Sequence, residues 1–126
     1  MEPMPMEHCR ILVVEDEWVI RELIVEALRD AGYDVIAADN GDAAARLLGA
    51  DGFDLLVTDV HMPGKLDGIA LAQQAQLHKP PLAVVFVTGR PDVLERVRAG
   101  DMTSAVVSKP FMTDDVVRTV RHMLTA

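Results

Sequence analysis

The sequence predicts a doubly wound α/β fold, with five parallel strands in one sheet and five helices shared between its two faces. Three observations predict it. Five short apolar runs are continuous and rich in β-branched residues, as strands buried on both faces should be. Segments with apolar residues at three-to-four spacing separate those runs, and this regular alternation implies parallel strands joined by right-handed crossovers. With 126 residues, half of them hydrophobic and a quarter charged, the chain has the size and composition of one globular domain with a real core.

The elements follow in order. The run RILVVE (10–15) is the first strand, and Val19, Leu23, Ile24, Ala27 and Leu28 form the apolar stripe of the first helix, which Gly32 closes. DVIAA (34–38) precedes a helical pattern over 41–49, and DLLVT (54–58) precedes one over 68–78. LAVVFVT (82–88) leads into a helix over 91–98, and SAVVS (104–108) into the last helix over 113–124. Residues 1–8, with their Pro and Met, read as a flexible tail, and 9–126 as a single domain. The last helix ends so near residue 126 that no second domain is expected after it.

Composition narrows the function. Twenty acids against twelve bases give a net charge of −8 and no Lys/Arg cluster, which argues against direct nucleic-acid binding. The longest apolar runs, such as LAVVFV, are too short to span a bilayer, and MEPMPMEHC has neither the basic nor the apolar region of a secretory signal. Cys9 is the single cysteine, so no internal disulfide forms, and a cytoplasmic setting is expected.

In an open parallel sheet, ligands bind outside the carboxyl ends of the strands. The first strand ends in Glu15-Asp16-Glu17, the third in Thr58-Asp59, the fourth in Thr88-Gly89 and the fifth in Ser108-Lys109-Pro110. Each residue alone reads as a loop group or helix cap. Their convergence on one edge is harder to read that way. Two carboxylates about 4 Å apart repel by roughly 4 kcal/mol at an effective dielectric near 20, so the acids need a cation or a proton. Hard oxygen ligands with open positions suit Mg²⁺. With the Lys109 charge and the Thr88 hydroxyl, they form equipment for phosphoryl transfer, and Asp59 is the best-placed nucleophile.

The motifs VVEDE, DLLVTDVHMPGKLDG, VVFVTGR and VVSKPF, in this order and spacing, resemble the receiver domain of two-component response regulators over about residues 9–124. The resemblance implies the flavodoxin-like strand order 2-1-3-4-5. It implies that Asp59 accepts a phosphoryl group from a histidine kinase or a histidine phosphotransfer protein. It further implies Mg²⁺ held by Asp16 directly, by Glu15 through water, by Asp59 and by the His61 carbonyl. Lys109 would pair with the phosphoryl oxygens or Asp59, Thr88 would hydrogen-bond the phosphoryl group, and Pro110 would follow a cis peptide bond. Phosphorylation would change the surface of the fourth helix, fifth strand and fifth helix, where a downstream protein or a second copy of the chain would dock. The domain would catalyse only its own phosphorylation and dephosphorylation.

Three departures stand out. MPGKLDG carries an extra position at Gly64-Lys65, Val106 stands where the family usually has an aromatic residue, and no output domain is expected, as in a stand-alone receiver. Trp18, at the start of the first helix beside the acidic cluster, is read first as a packing residue and second as a partner-facing anchor. His61 either tunes water access to the site or simply faces solvent; Arg90 is read as either an access residue or a helix start. His8, His78 and His122 lack metal-ligand spacing and read as surface residues. Other classes fit less well. A haloacid-dehalogenase-type hydrolase wants a second acid where His61 stands, a phosphorylation-independent module need not keep these polar residues, and EDE would repel the phosphate of a flavodoxin-like cofactor.

Overall fold

A computed structural model describes residues 9–50, 52–62, 64, 66–78, 81–89 and 104–125. The strands are β1 (Arg10–Val14), β2 (Asp34–Ala38), β3 (Leu55–Thr58), β4 (Ala83–Thr88) and β5 (Ser104–Ser108). Helices α1 (Trp18–Asp30), α2 (Gly41–Ala50) and α3 (Gly68–Gln76) alternate with them, and a C-terminal helix (Thr113–Thr125) follows β5. All strand pairs are parallel, in the order β2-β1-β3-β4-β5. The expected flavodoxin-like order therefore holds. Four helices lie among the described residues; the helix expected over 91–98 falls outside them, as does most of the loop that leads to it.

Side-chain alternation along the strands divides the core into two layers. On one face Leu12, Val14, Leu56, Val84 and Phe86 pack against Ala44 and Leu48 of α2 and Leu71 and Ala75 of α3. On the other, Ile11, Val13, Leu55, Val57, Val85 and Val87 meet Ile24 and Leu28 of α1 and Val116 and Val120 of the C-terminal helix. Full burial of one such aliphatic side chain stabilises the fold by about 1.5–3 kcal/mol, which is why these strands read as unbroken apolar runs. Among the described residues no helix is long and apolar enough to cross a membrane.

Helix ends follow local chemistry. Gly32, at φ 101°, closes α1: its N–H donates to the Arg29 carbonyl at 3.0 Å, and the Tyr33 N–H reaches back to Leu28 at 3.2 Å. Asp67 opens α3 by accepting from the Ala70 N–H at 2.8 Å. That helix ends at Gln76, two residues before the expected end, because the Leu77 and His78 N–H groups turn back to the carbonyls of Gln74 and Ala75. Asp54 likewise leaves β3 at its start, and its side chain accepts from the Arg10 N–H at 2.8 Å.

Two expectations about α1 need correction. Its buried face is Ile24, Val25 and Leu28, whereas Val19 and Leu23 are 59 % and 49 % exposed. At 100° per residue those two fall on the flank away from the sheet, so the apolar stripe of the sequence is wider than the face that packs. Trp18 does not pack either: it is 67 % exposed, at the first turn.

The loop from β3 to α3 is pinned at both ends by close backbone approach. A Cβ on Gly68 would lie 1.8 Å from the Asp59 carbonyl oxygen, and one on Gly41 would lie 2.2 Å from that of Leu66. Between them Gly64 adopts φ 102°, a conformation glycine takes without strain. By contrast, a Cβ on Gly49 in α2 would touch nothing within 4 Å. Gly68→Ala is expected to destabilise the domain by about 2–3 kcal/mol through forced displacement of backbone, and Gly49→Ala to stabilise it by about 0.5–1 kcal/mol through helix propensity. Denaturant midpoints of both variants check this; equal effects of the two would refute the close-contact argument.

Candidate functional site

The site grows from the tips of the two central strands. β1 and β3 run in register, Val14 beside Thr58, so the residue after each strand emerges at the same edge. Glu15 continues the ladder by one bond, its N–H donating to the Ala38 carbonyl at 3.2 Å, and the Asp59 N–H donates to Val14 at 3.1 Å. Both carboxylates are thereby fixed by main chain and withdrawn from solvent, at 2 % and 8 % exposure. Asp16 follows outward and is exposed.

Lys109 comes from β5, two strand spacings or roughly 10 Å from β3. Its flexible four-carbon stem and the Asp59 side chain together close that span. Its Nζ donates to Glu15 Oε1 at 2.7 Å and to Asp59 Oδ2 at 3.0 Å. The Lys109 N–H donates to the Thr88 carbonyl at 2.8 Å, so the lysine and the buried Thr88 at the end of β4 are joined through main chain. The Lys109–Pro110 bond is cis, as the resemblance implied.

Asp59 is held from several sides. Its Oδ1 accepts from the Val60 N–H at 2.7 Å and more distantly from that of His61 at 3.4 Å. The Thr58 hydroxyl donates to its carbonyl at 2.8 Å. His61 is exposed, a position compatible with both of its expected roles. His78 is half-buried and His122 exposed; His8, Pro63, Lys65 and Arg90 lie outside the described residues. Sequence reasoning missed Gly68, behind the Asp59 carbonyl, and Arg21, whose Nη1 donates to the Glu15 carbonyl at 2.9 Å. A glycine directly after the Asp67 cap was the available signal for the first. For Arg21, six residues from Glu15, nothing in the sequence distinguishes a tether from a surface cation.

Charge is unbalanced here. Two buried acids share one ammonium, and one oxygen from each of Glu15, Asp16 and Asp59 lies within 4.8 Å of the others. Burial raises the Glu15 carboxyl to about 7; the Lys109 hydrogen bond opposes this and the Asp59 charge adds to it. Burial alone would lower Lys109, but its hydrogen bonds to Glu15 and Asp59 outweigh that and raise it. The lysine therefore stays charged while the excess negative charge attracts a proton or a cation. The donor set is all carboxylate oxygen, buried on the protein side and open at Asp16, and it fits a hard divalent ion such as Mg²⁺.

Comparison with known proteins agrees with this geometry. Residues 11–121 match the family model for the response regulator receiver domain. The response regulator receiver protein CpdR of Brucella abortus is 41 % identical over 118 residues, covering 93 % of this chain and 98 % of that protein. The response regulator MprA of Mycolicibacterium vanbaalenii is 34 % identical over 91 % of this chain, which spans 50 % of its length. Among solved structures, a response regulator receiver protein from Sinorhizobium medicae superposes with a TM-score of 0.86 at 29 % identity, covering 95 % of this chain and 97 % of that one. The response regulator TrrA of Thermotoga maritima, solved in complex with Mg²⁺-BeF, gives a TM-score of 0.81 at 30 % identity, with 92 % and 99 % covered.

The raised Glu15 carboxyl has a measurable consequence. Between its ordinary value near 4.5 and about 7, the unfolded chain releases a proton that the folded chain keeps. The metal-free protein is therefore expected to lose stability as pH rises across that window, by about 1–3 kcal/mol, and to level off above it. Glu15→Gln should remove that slope. Urea unfolding in chelator from pH 4.5 to 8 checks it; identical pH profiles for wild type and variant would overturn the assignment.

Proposed function

The chain belongs to the response regulator receiver domain family, and we propose that it acts as a phosphoacceptor in a two-component phosphorelay with Asp59 as the modified residue. The observation that carries this is the placement of the Asp59 carboxylate: buried, fixed at Oδ1 by main chain, and contacted at Oδ2 by a lysine that also grips Glu15. In this reading the phosphodonor is a phosphorylated histidine of a kinase or phosphotransfer protein. An Asp59 oxygen forms the new O–P bond while the N–P bond breaks, and the imidazole leaves with the electron pair. Lys109 is free to follow the charge from the carboxylate to the phosphoryl oxygens without leaving the site, since it already spans both acids. Thr88, buried at the neighbouring strand end, supplies a hydroxyl donor for the same oxygens.

Mg²⁺ held by Asp16, Glu15, Asp59 and the His61 carbonyl would neutralise phosphoryl charge; the carboxylate cluster and the Mg²⁺-BeF complex of the Thermotoga relative support that role. The protein then turns over only its own acyl phosphate and acts on no separate substrate. Its net charge of −8 supports signalling through a protein partner in the cytoplasm rather than through direct contact with nucleic acid.

The output differs in detail from the resembled pattern. Val106 sits beside Phe86 in register and is half-buried against the layer that packs on α2 and α3. A valine has one stiff χ1 and no ring to swing between exposed and buried positions. We assign the change of surface to backbone movement after Thr88, toward the segment over 91–98 and β5, where a downstream protein or a second copy would dock. Gly89 is the hinge in this scheme.

Two measurements test the chemistry. Incubation with acetyl phosphate and Mg²⁺ should add one phosphoryl group by intact mass, and Asp59→Asn should abolish it; equal labelling of the variant would refute Asp59. Mg²⁺ titration followed by Trp18 fluorescence should show Asp16→Ala weakening affinity about 10–100-fold, and Glu15→Ala by less. Unchanged affinity in Asp16→Ala would remove Asp16 from the ligand set.

A further inference from the structure

An open cleft of about 530 Å³ lies at the C-terminal end of β2, at the edge of the sheet, and none of Glu15, Asp16, Asp59, Thr88 and Lys109 lines it. Arg21 of α1 walls it on one side and Ala43, Arg46 and Leu47 of α2 on the other, with Ala37 and Asp39 beneath. Its size falls within the range of small-molecule sites. In a chain carrying an excess of eight acids, two arginines turned to one cavity are a local reversal of charge.

The edge strand adds backbone groups to that wall. Among the described residues β2 has β1 as its single neighbour, so half of its polar groups point outward. The Asp34 N–H and the Ala38 carbonyl bond toward the β1 side, to the Cys9 carbonyl and the Glu15 N–H at 3.0 and 3.2 Å, which turns the groups of Val35 and Ala37 outward. Arg29 Nη2 covers the Val35 carbonyl at 2.9 Å. Ala37 is exposed and lines the cavity, with no side chain large enough to fill it.

We infer that this cavity is a second binding site, for an organic phosphate of about the size of a nucleoside monophosphate. Arginine guanidinium groups recognise phosphate bidentately. Arg21 is pre-oriented because its Nη1 is tied to the Glu15 carbonyl, and among the described residues Arg46 has no hydrogen bond or ion pair. The Asp39 carboxylate, which accepts from Asn40 Nδ2 at 2.7 Å, excludes a bare polyanion from its side but can accept from a ligand hydroxyl or amino group. The Ala and Leu surfaces offer an apolar face to a ring. The site also touches the phosphoacceptor machinery through two hydrogen bonds, Arg21 Nη1 to the Glu15 carbonyl and the Glu15 N–H to the Ala38 carbonyl.

Titration of AMP into ¹⁵N-labelled full-length protein, with adenosine and inorganic phosphate as parallel arms, tests the site. Saturable amide shifts at Ala37, Arg46 and Glu15 are expected with AMP in the millimolar range or tighter, with weaker ones from phosphate. Arg46→Ala should weaken AMP at least tenfold while its other amide shifts and its Mg²⁺ titration stay as in wild type, and Arg46→Lys should fall between. Four results would overturn the proposal: no saturable shift with AMP, adenosine binding as tightly as AMP, undiminished binding by Arg46→Ala, or phosphate shifts that vanish in ordinary chloride buffer, which would mark an adventitious ion only. Since the test reads binding away from Asp59, its failure would leave the phosphoacceptor reading untouched.

Discussion

The ion pairs from Lys109 to Glu15 and Asp59 connect the far side of the sheet to its centre, and much of the molecule is arranged to make them possible. A buried ion pair gains little net stability, because desolvation of the charges offsets most of their attraction. Here the pairs do something else. They hold two carboxylates, mutually repelling and largely dry, at an edge where main-chain geometry forces them together. The register of β1 with β3 sets the acids side by side, and the β4–β5 register delivers the lysine two strands away. The strand order is thus a charge-placement device as well as a way of burying aliphatic residues.

How much of this was legible in the sequence depends on the range of the interaction. Strand positions were readable because double burial leaves unbroken β-branched runs such as LLVT and AVVFVT, and the observed bounds differ by a residue where an end group bonds elsewhere, as Asp54 does. The candidate site residues were readable because the polar residue that follows a strand in this architecture has one place to go. The helix α1 face was not. Val19 and Leu23 are apolar and correctly spaced, yet only the sheet decides which flank of an apolar stripe is covered, and local periodicity carries no record of that. Trp18 fails for the same reason. Arg21 and Gly41 act on partners that become neighbours only after folding, so nothing in their local sequence marks them.

The acidic edge and the β2 cavity share a wall without sharing chemistry. Glu15 sends its side chain inward to Lys109, while its peptide groups bond outward to Arg21 and Ala38. One residue therefore belongs to two environments of opposite sign, a crowded anionic edge and a cationic cleft. Main chain is stiffer than side chain, so the position of this single peptide is constrained by both.

The pinned loop between β3 and α3 has a consequence for how such a chain can vary. Gly68 and Gly41 fix its feet by direct main-chain contact, and Gly64 crosses its crest with a positive φ. Length can then change at the crest while the feet, and the carboxylate rooted beside one of them, stay in place. A peptide tag or epitope grafted beside Gly64 would consequently leave the acid at the loop's foot undisturbed.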